Sequence, residues 1–227
     1  MSMTERDLLV LRHVGRFRIS IRPAIEKLFF GGKSCDNVLQ RLRADGRLQN
    51  HRLGRTGISY YQLTRAQTRC PQTLVPENRA LPFSAGPLHE SLAVLWFCCL
   101  SEFPAERLEG DDLKRLFGKT FYDPHCLQVG PGGRKRVFRL DVPGSTSGDE
   151  YPVRKLVSTF EELVSGKDQV LWDWVKARDF GFSVLVETKE RKDRLESLLA
   201  KEKLPGLVNV QLAPSQLTIK EALKGVL

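Results

Sequence analysis

Three carboxylates in the second half of the chain, Asp123, Asp141 and Glu187, stand where acids at strand ends could hold a divalent cation. With a lysine nearby to polarise a phosphate, that is the equipment of a metal-dependent nuclease. Asp123 and Asp141 fall on adjacent expected strands, and Glu187-Thr188-Lys189 reads as an acid-x-Lys element. Against this, Arg139 lies two positions before Asp141 and would neutralise the site, and acids before turns are common. No catalytic residue and no metal ligand is therefore assigned. Zinc spacing is missing as well: Cys98 and Cys99 are adjacent in an apolar segment, Cys35 and Cys70 are isolated, and His125-Cys126 has no spaced second pair. The sequence contains no Gly-x-Ser-x-Gly nucleophile elbow. Gly130-Pro131-Gly132-Gly133 lacks the Lys-Ser/Thr of a phosphate loop and reads as a hairpin turn. These features point away from an enzyme and call for no cofactor.

A different chemistry is written near the start. Cys35, Val38, Leu39 and Leu42 recur at helical spacing and give one apolar stripe. Asn37, Gln40 and Ala44 point directly away from it, Arg41 and Arg43 flank that outer face, and Lys33 and Ser34 lie at its start. Asn and Gln can make paired hydrogen bonds to adenine, and Arg to guanine. A solvated helix face more often carries Glu and Lys, so this one reads as a helix that enters the major groove.

The elements around it fit. Thr4 caps a first helix, with Asp7 three residues on, and Val10, Leu11, Val14 and Phe17 form its apolar side. Arg16 to Ser20 is expected as a polar connection carrying the phosphate-gripping Arg16 and Arg18. Pro23 opens a second helix that stops at Gly31-Gly32, and Ser34 and Gly46 bound the third. Strands at Leu48–Leu53 and Ile58–Leu63, joined by Gly54-Arg55-Thr56-Gly57, make a basic hairpin with Arg52 and Arg55 near its tip. Helix, helix, amide- and arginine-faced helix and hairpin together describe a winged helix-turn-helix over residues 1–70.

Residues 71–87 hold four prolines and are expected to be a linker. From residue 88 to 227, helices are expected at Leu88–Glu102, Asp111–Phe117, Pro152–Ser165, Gln169–Arg178, Arg191–Lys201 and Gln216–Gly225. Strands are expected at Phe121–Val129, Lys135–Val142, Phe182–Glu187 and Leu207–Leu212. That alternation predicts an α/β domain with a small mixed sheet, and an α/β fold overall.

Charge divides the chain unevenly. Residues 1–80 hold 15 Lys and Arg against 6 Asp and Glu, and 13 of those bases are Arg. The other residues hold 21 of each sign, so the whole net charge of +9 lies in the first third. Such asymmetry points to one segment with a polyanionic partner. The longest apolar run, Leu92 to Leu100, is far below the roughly 20 residues needed to span a bilayer. A charged amphipathic start without a secretory signal and five cysteines without paired spacing fit a cytoplasmic protein with no membrane partner.

The order of these features resembles the replication-relaxation family of plasmid- and mobile-element-associated proteins. Its Thr-x-Arg-Asp helix start is matched by Thr4-Glu5-Arg6-Asp7, and its closing Tyr-x-Leu-Thr strand by Tyr61-Gln62-Leu63-Thr64. The resemblance implies a second half shaped like a degenerate restriction endonuclease. Phe138-Arg139-Leu140-Asp141, Gly144-Ser145, Arg154-Lys155-Leu156, Val184-Leu185-Val186 and Arg191 echo it. Where the family tends to carry Glu two positions before the Asp, this chain has Arg139, which speaks against inherited nuclease chemistry. The expected function is sequence-specific binding of double-stranded DNA by site occupancy, in regulating transcription or the replication of a plasmid or mobile element. Lys33, Ser34, Asn37, Gln40, Arg41 and Arg43 would lie in the groove, with Arg16, Arg18, Arg52 and Arg55 on phosphates. The alternative is a metal-dependent nuclease targeted by the winged helix. A homodimer is expected because many such regulators read paired half-sites.

Overall fold

Thr4 and Asp7 open the first helix by capping each other, in a computed structural model that describes residues 3–54, 56–68 and 85–225. The Asp7 N–H donates to Thr4 Oγ1 at 3.2 Å, and the Thr4 N–H donates to the Asp7 carboxylate at 2.9 Å, the reciprocal box read from the sequence. From there run α1 (Glu5–Phe17), β1 (Ser20–Ile21), α2 (Arg22–Phe29), α3 (Asp36–Ala44), β2 (Leu48–Arg52), β3 (Ser59–Leu63), α4 (Arg65–Thr68) and α5 (Ala85–Cys99). The expected linker lies outside the described residues from 71 to 84, and residues 85–87 begin α5.

Ser20 is not simply part of a polar connection. Arg18 ends α1 with φ at 67°, a conformation glycine usually supplies. The turn it makes sends Ser20 and Ile21 into antiparallel register with Tyr61 and Tyr60. The sheet order is β1-β3-β2, and β2 meets β3 from Leu48↔Leu63 to Arg52↔Ser59. Val10, Leu11, Val14, Ile25, Cys35, Leu39, Leu42, Leu48 and Leu63 form the core beneath it. The apolar stripe of α3 thus does what its spacing requires.

The second sheet is built from β4 (Ala105–Leu108), β5 (His125–Val129), β6 (Lys135–Asp141), β7 (Phe180–Val186) and β8 (Leu207–Leu212), in that spatial order. β4, β5 and β6 are antiparallel neighbours, whereas β6, β7 and β8 are parallel. α6 (Gly110–Phe117) joins β4 to β5; α7 (Glu150–Val164) and α8 (Gln169–Lys176) join β6 to β7, and α9 (Lys189–Leu199) joins β7 to β8. Phe180, Phe182, Val184 and Val186 alternate along β7 and pack with Leu156, Phe160, Val175 and Leu195 of those helices. The fold is mixed α/β, as expected. β4 is not among the expected strands: Ala-Glu-Arg-Leu has no strand pattern, and it is held at the sheet edge by β5 alone.

The chain forms two compact units, 1–100 with 215–227, and 101–214. α5 and the final helix α10 (Ile219–Lys224), expected in the second domain, group with the first unit. Among the described residues, no helix is long and apolar enough to cross a membrane.

Each unit buries a histidine. His13 packs between Phe17 and Phe29 with Nε2 2.9 Å from Ser20 Oγ. Burial, helped by the charge of Arg16, pushes its pKa down to about 3. His125 lies between Phe121 and Phe180, and burial outweighs its bond to the Asp123 carbonyl, pushing its pKa down to about 4. Both stay neutral in the folded chain at pH values where the unfolded chain, with a pKa near 6.5, is protonated. The unfolded state then binds more protons, so stability is full above pH 6.5 and falls as the pH drops toward these folded values. The expected loss is about 1.4 kcal/mol per pH unit for each histidine. Denaturant unfolding as a function of pH, with His13→Gln and His125→Gln variants, measures it. A profile unchanged by either variant would remove the histidines as its cause.

Candidate nucleic-acid interface

α3 turns Asn37, Gln40, Arg43 and Ala44 to solvent, and Lys33 and Ser34 before it are exposed too. Asp36, one turn before Gln40 on the same side, is matched by Arg22 at 2.9 Å. Gln40, Arg43 and Ala44 form one wall of a shallow groove of about 520 Å³ whose other wall is Leu48, Gln49 and Asn50 of β2. Gln49 and Asn50 are not among the residues expected from the sequence. Leu48 at the start of β2 is buried, Gln49 is half-buried and Asn50 is exposed, and strand periodicity alone does not single the two amides out. The groove therefore presents three amides and a guanidinium, which can donate and accept along a base-pair edge.

Ser34 does not act as the helix cap that the sequence suggests. Cys35 occupies that position, and Ser34 lies one residue earlier, with its Oγ accepting the Asp36 N–H at 3.3 Å. Arg22 ties this corner together. Its guanidinium meets Glu26 at 2.7 Å and Asp36 at 2.9 Å and donates to Ser34 Oγ at 3.3 Å. Glu26 also accepts the Cys35 N–H at 3.3 Å. α2 is thereby fixed to the start of α3, a role for Arg22 that its i,i+4 spacing to Glu26 could have suggested.

Arg41 is the largest departure. Its guanidinium is held by the Asp7 carboxylate, whose side chain is 2% exposed. The residue expected in the groove instead clamps α3 to the first turn of α1. Burial pushes the Asp7 pKa up, but bonds from Thr4 and Arg41 outweigh it and hold the carboxyl below its ordinary value.

The arginines expected on phosphates are dispersed. Arg52 is exposed on β2, Arg16 is half-buried, and Arg18 is half-buried with its backbone spent on the α1 cap. Arg55 lies outside the described residues. His51 and Tyr60 stack across the β2–β3 pair, with centroids 5.2 Å apart. Tyr60 is buried and Tyr61 packs against the core, so neither tyrosine points into solvent. Residues 1–100 and 215–227 hold 17 basic and 8 acidic residues, and residues 101–214 hold 19 of each. The net charge of +9 thus lies wholly in the unit that carries α3.

Comparison with protein-family models, with curated proteins and with solved structures finds no match for this chain.

In the second unit, Asp123 and Asp141 do come together. The β5–β6 register sets them opposite each other, with the Leu140 N–H donating to the Pro124 carbonyl at 2.8 Å. Each is matched by a base. Lys155 lies 2.7 Å from Asp141 and 4.0 Å from Asp123, and Arg139 lies 3.1 Å from Asp123. Glu187-Thr188-Lys189 is a helix start, in which Thr188 Oγ1 accepts the Arg191 N–H at 3.2 Å to cap α9. Among the described residues, no three His, Cys, Asp or Glu side chains cluster as a metal site requires. Cys35, Cys98, Cys99 and Cys126 are buried and form no disulfide among the described residues, and Cys70 lies outside those residues. Gly130 to Gly133 form the β5–β6 turn, with the Gly130 N–H donating to the Arg134 carbonyl at 2.9 Å.

Proposed function

We propose that residues 1–70 act as a winged helix-turn-helix that binds double-stranded DNA, α3 being the recognition helix and β2–β3 the wing. The observation that carries this is the exposed row of α3, Asn37, Gln40 and Arg43, of which Gln40 and Arg43 share a groove with Gln49 and Asn50 in the unit that holds all the net positive charge. Lys33 and Arg52 supply phosphate contacts at either side, with Arg16, Arg18 and Arg55 as further candidates. Arg41 and Ser34 position α3 and do not themselves read bases. The protein acts by occupying a site in the cytoplasm, as a regulator of transcription or of plasmid or mobile-element replication, in keeping with its resemblance to the replication-relaxation family.

Fluorescence anisotropy with a labelled random duplex at low salt tests the proposal. Binding is expected, and it weakens as salt rises, with a log–log slope near −0.9 for each phosphate neutralised. On a selected site, Asn37→Ala or Gln40→Ala relaxes base preference by about 1–3 kcal/mol for each amide–base pair of hydrogen bonds removed. Arg52→Ala instead weakens all sequences alike and flattens the salt slope by about one unit. Absence of binding to any duplex at low salt would turn the reading toward a protein-interaction module.

A metal-dependent nuclease is the second reading, favoured by the approach of Asp123 to Asp141 beside Lys155. It requires DNA cleavage with Mg²⁺ or Mn²⁺ that Asp141→Ala abolishes. The charge-for-charge matching of both acids by Arg139 and Lys155 weighs against it.

A further inference from the structure

The five-stranded sheet ends in two edges of different chemistry. β4 is four residues long and carries Glu106 and Arg107, the short charged edge that discourages pairing with another strand. β8 is six residues long and reads Leu-Val-Asn-Val-Gln-Leu, without charge, proline or glycine. On its inner side it pairs with β7 from Gly181↔Leu207 to Val186↔Leu212, and the Ala213 N–H reaches the Val186 carbonyl at 2.8 Å. In a parallel ladder of that phase, Leu207, Asn209 and Gln211 turn their backbone groups to β7, while Val208, Val210 and Leu212 turn theirs outward. No described strand receives them. Beside this edge lies a groove lined by Lys192, Glu196 and Leu199 of α9 and by Ser101, Glu102 and Phe103, and Leu212 is 47% exposed there.

We infer that a second copy of this chain covers this edge, its β8 antiparallel to the first about a two-fold axis through Val210. Opposite residues of an antiparallel pair share one face of the sheet, so a two-fold register must match odd with odd and even with even. Centred on Val210, it sets Val208 against Leu212 and Val210 against its own mate on the apolar face. Asn209 meets Gln211 on the other face, amide against amide. The outward groups of Val208, Val210 and Leu212 are those that a hydrogen-bonded pair uses, giving roughly six inter-chain bonds. Lys192 and Glu196 pair with each other at 3.6 Å on the same groove wall, so a rotated copy sets a second such pair against the first. The two five-stranded sheets become one, and a closed two-fold contact removes an edge that would otherwise recruit strands without limit.

The inference does not rest on DNA binding, and its test contains no DNA. Sedimentation equilibrium of the full chain is expected to show a dimer at micromolar concentration. For the register, Asn209→Cys/Gln211→Cys and the two single variants are made with Cys70→Ser, the four described native cysteines being buried. In the double variant each new cysteine faces the other's mate in a non-hydrogen-bonded pair, with Cα atoms about 4.5 Å apart and within reach of a disulfide. In either single variant the nearest mate lies on the diagonal at about 7–8 Å, beyond easy reach. Mild oxidation should therefore cross-link the double variant about tenfold more than either single one. A chain that sediments as a monomer, including one whose own residues 69–84 cover β8, overturns the inference. So does cross-linking of the single variants to the same extent as the double.

Discussion

Asp7→Ala is expected to destabilise the first unit by about 3 kcal/mol and to weaken any activity that depends on the placement of α3. Asp7 is 1% exposed, and its carboxylate takes the Thr4 N–H at the start of α1 and the Arg41 guanidinium from α3. Removing it orphans the Thr4 N–H and leaves the half-buried Arg41 guanidinium without its carboxylate. Loss of one partner of a buried pair costs more than the pair contributes net, because the other charge stays behind. Arg41→Ala should cost a similar amount by stranding the Asp7 carboxylate, and the double variant less than the sum of the two. A double-mutant cycle by urea unfolding therefore yields a coupling of about 1.5–3 kcal/mol. The pair also has an acid signature. Because the folded pKa of Asp7 lies below its unfolded value, its stabilisation is complete above the ordinary carboxyl range and disappears as the pH falls through the folded pKa. The Arg41→Ala variant should lose part of this acid dependence. Two single variants that unfold at the wild-type urea midpoint would show that α3 is held by its apolar stripe alone.

That pair also marks where sequence stops being sufficient. The stripe of Cys35, Leu39 and Leu42, the Thr4–Asp7 box and the hairpin from Leu48 to Leu63 are local patterns, and each forms where its spacing places it. Arg41 and Arg43 both border the stripe at nearly symmetrical angles, and nothing within α3 distinguishes them. The distinction comes from a carboxylate 34 residues earlier, so one arginine is locked into the core edge and the other is left exposed. β1 is illegible for a similar reason: two residues carry no periodicity, and their pairing with Tyr60 and Tyr61 is fixed from across the fold. Gln49 and Asn50 escape a reading that places the base-reading surface on one helix, because the groove is made by a helix and the strand that follows it. Asp123 and Asp141 show the opposite balance. Their nearness follows from hairpin register, which could be counted from the turn at Gly130, while the neutralising Lys155 arrives from α7.

Arg191→Ala is expected to cost the second unit about 3 kcal/mol, a second large effect from a long-range arginine. Its sequence context, a charged helix start, suggests a solvated side chain, yet Arg191 is 8% exposed. The guanidinium donates to the Gly144 carbonyl at 3.2 Å, to the Ser147 carbonyl at 2.9 Å and to Ser147 Oγ at 3.0 Å, and it meets Asp149 at 3.1 Å. It thereby fixes the connection between β6 and α7, where local hydrogen bonds such as Ser147 to Gly144 are few. Asp149 is held below the ordinary carboxylate range first by Arg194 and then by Arg191. Arg194 is largely exposed and has no bond to the loop carbonyls, so it cannot replace the staple. Arg191→Lys should recover little of the loss, because a single ammonium cannot span two carbonyls and a carboxylate held in the plane of a guanidinium fork. Hydrogen exchange separates this from a general loss of stability. In Arg191→Ala, amides of residues 142–149 should exchange faster than the loss of global stability accounts for, while those of β7 should follow global unfolding. A lysine variant as stable as the wild type, with the loop equally protected, would mean that charge alone at this position suffices. The connection after Asp141 would then owe its shape to its own turns.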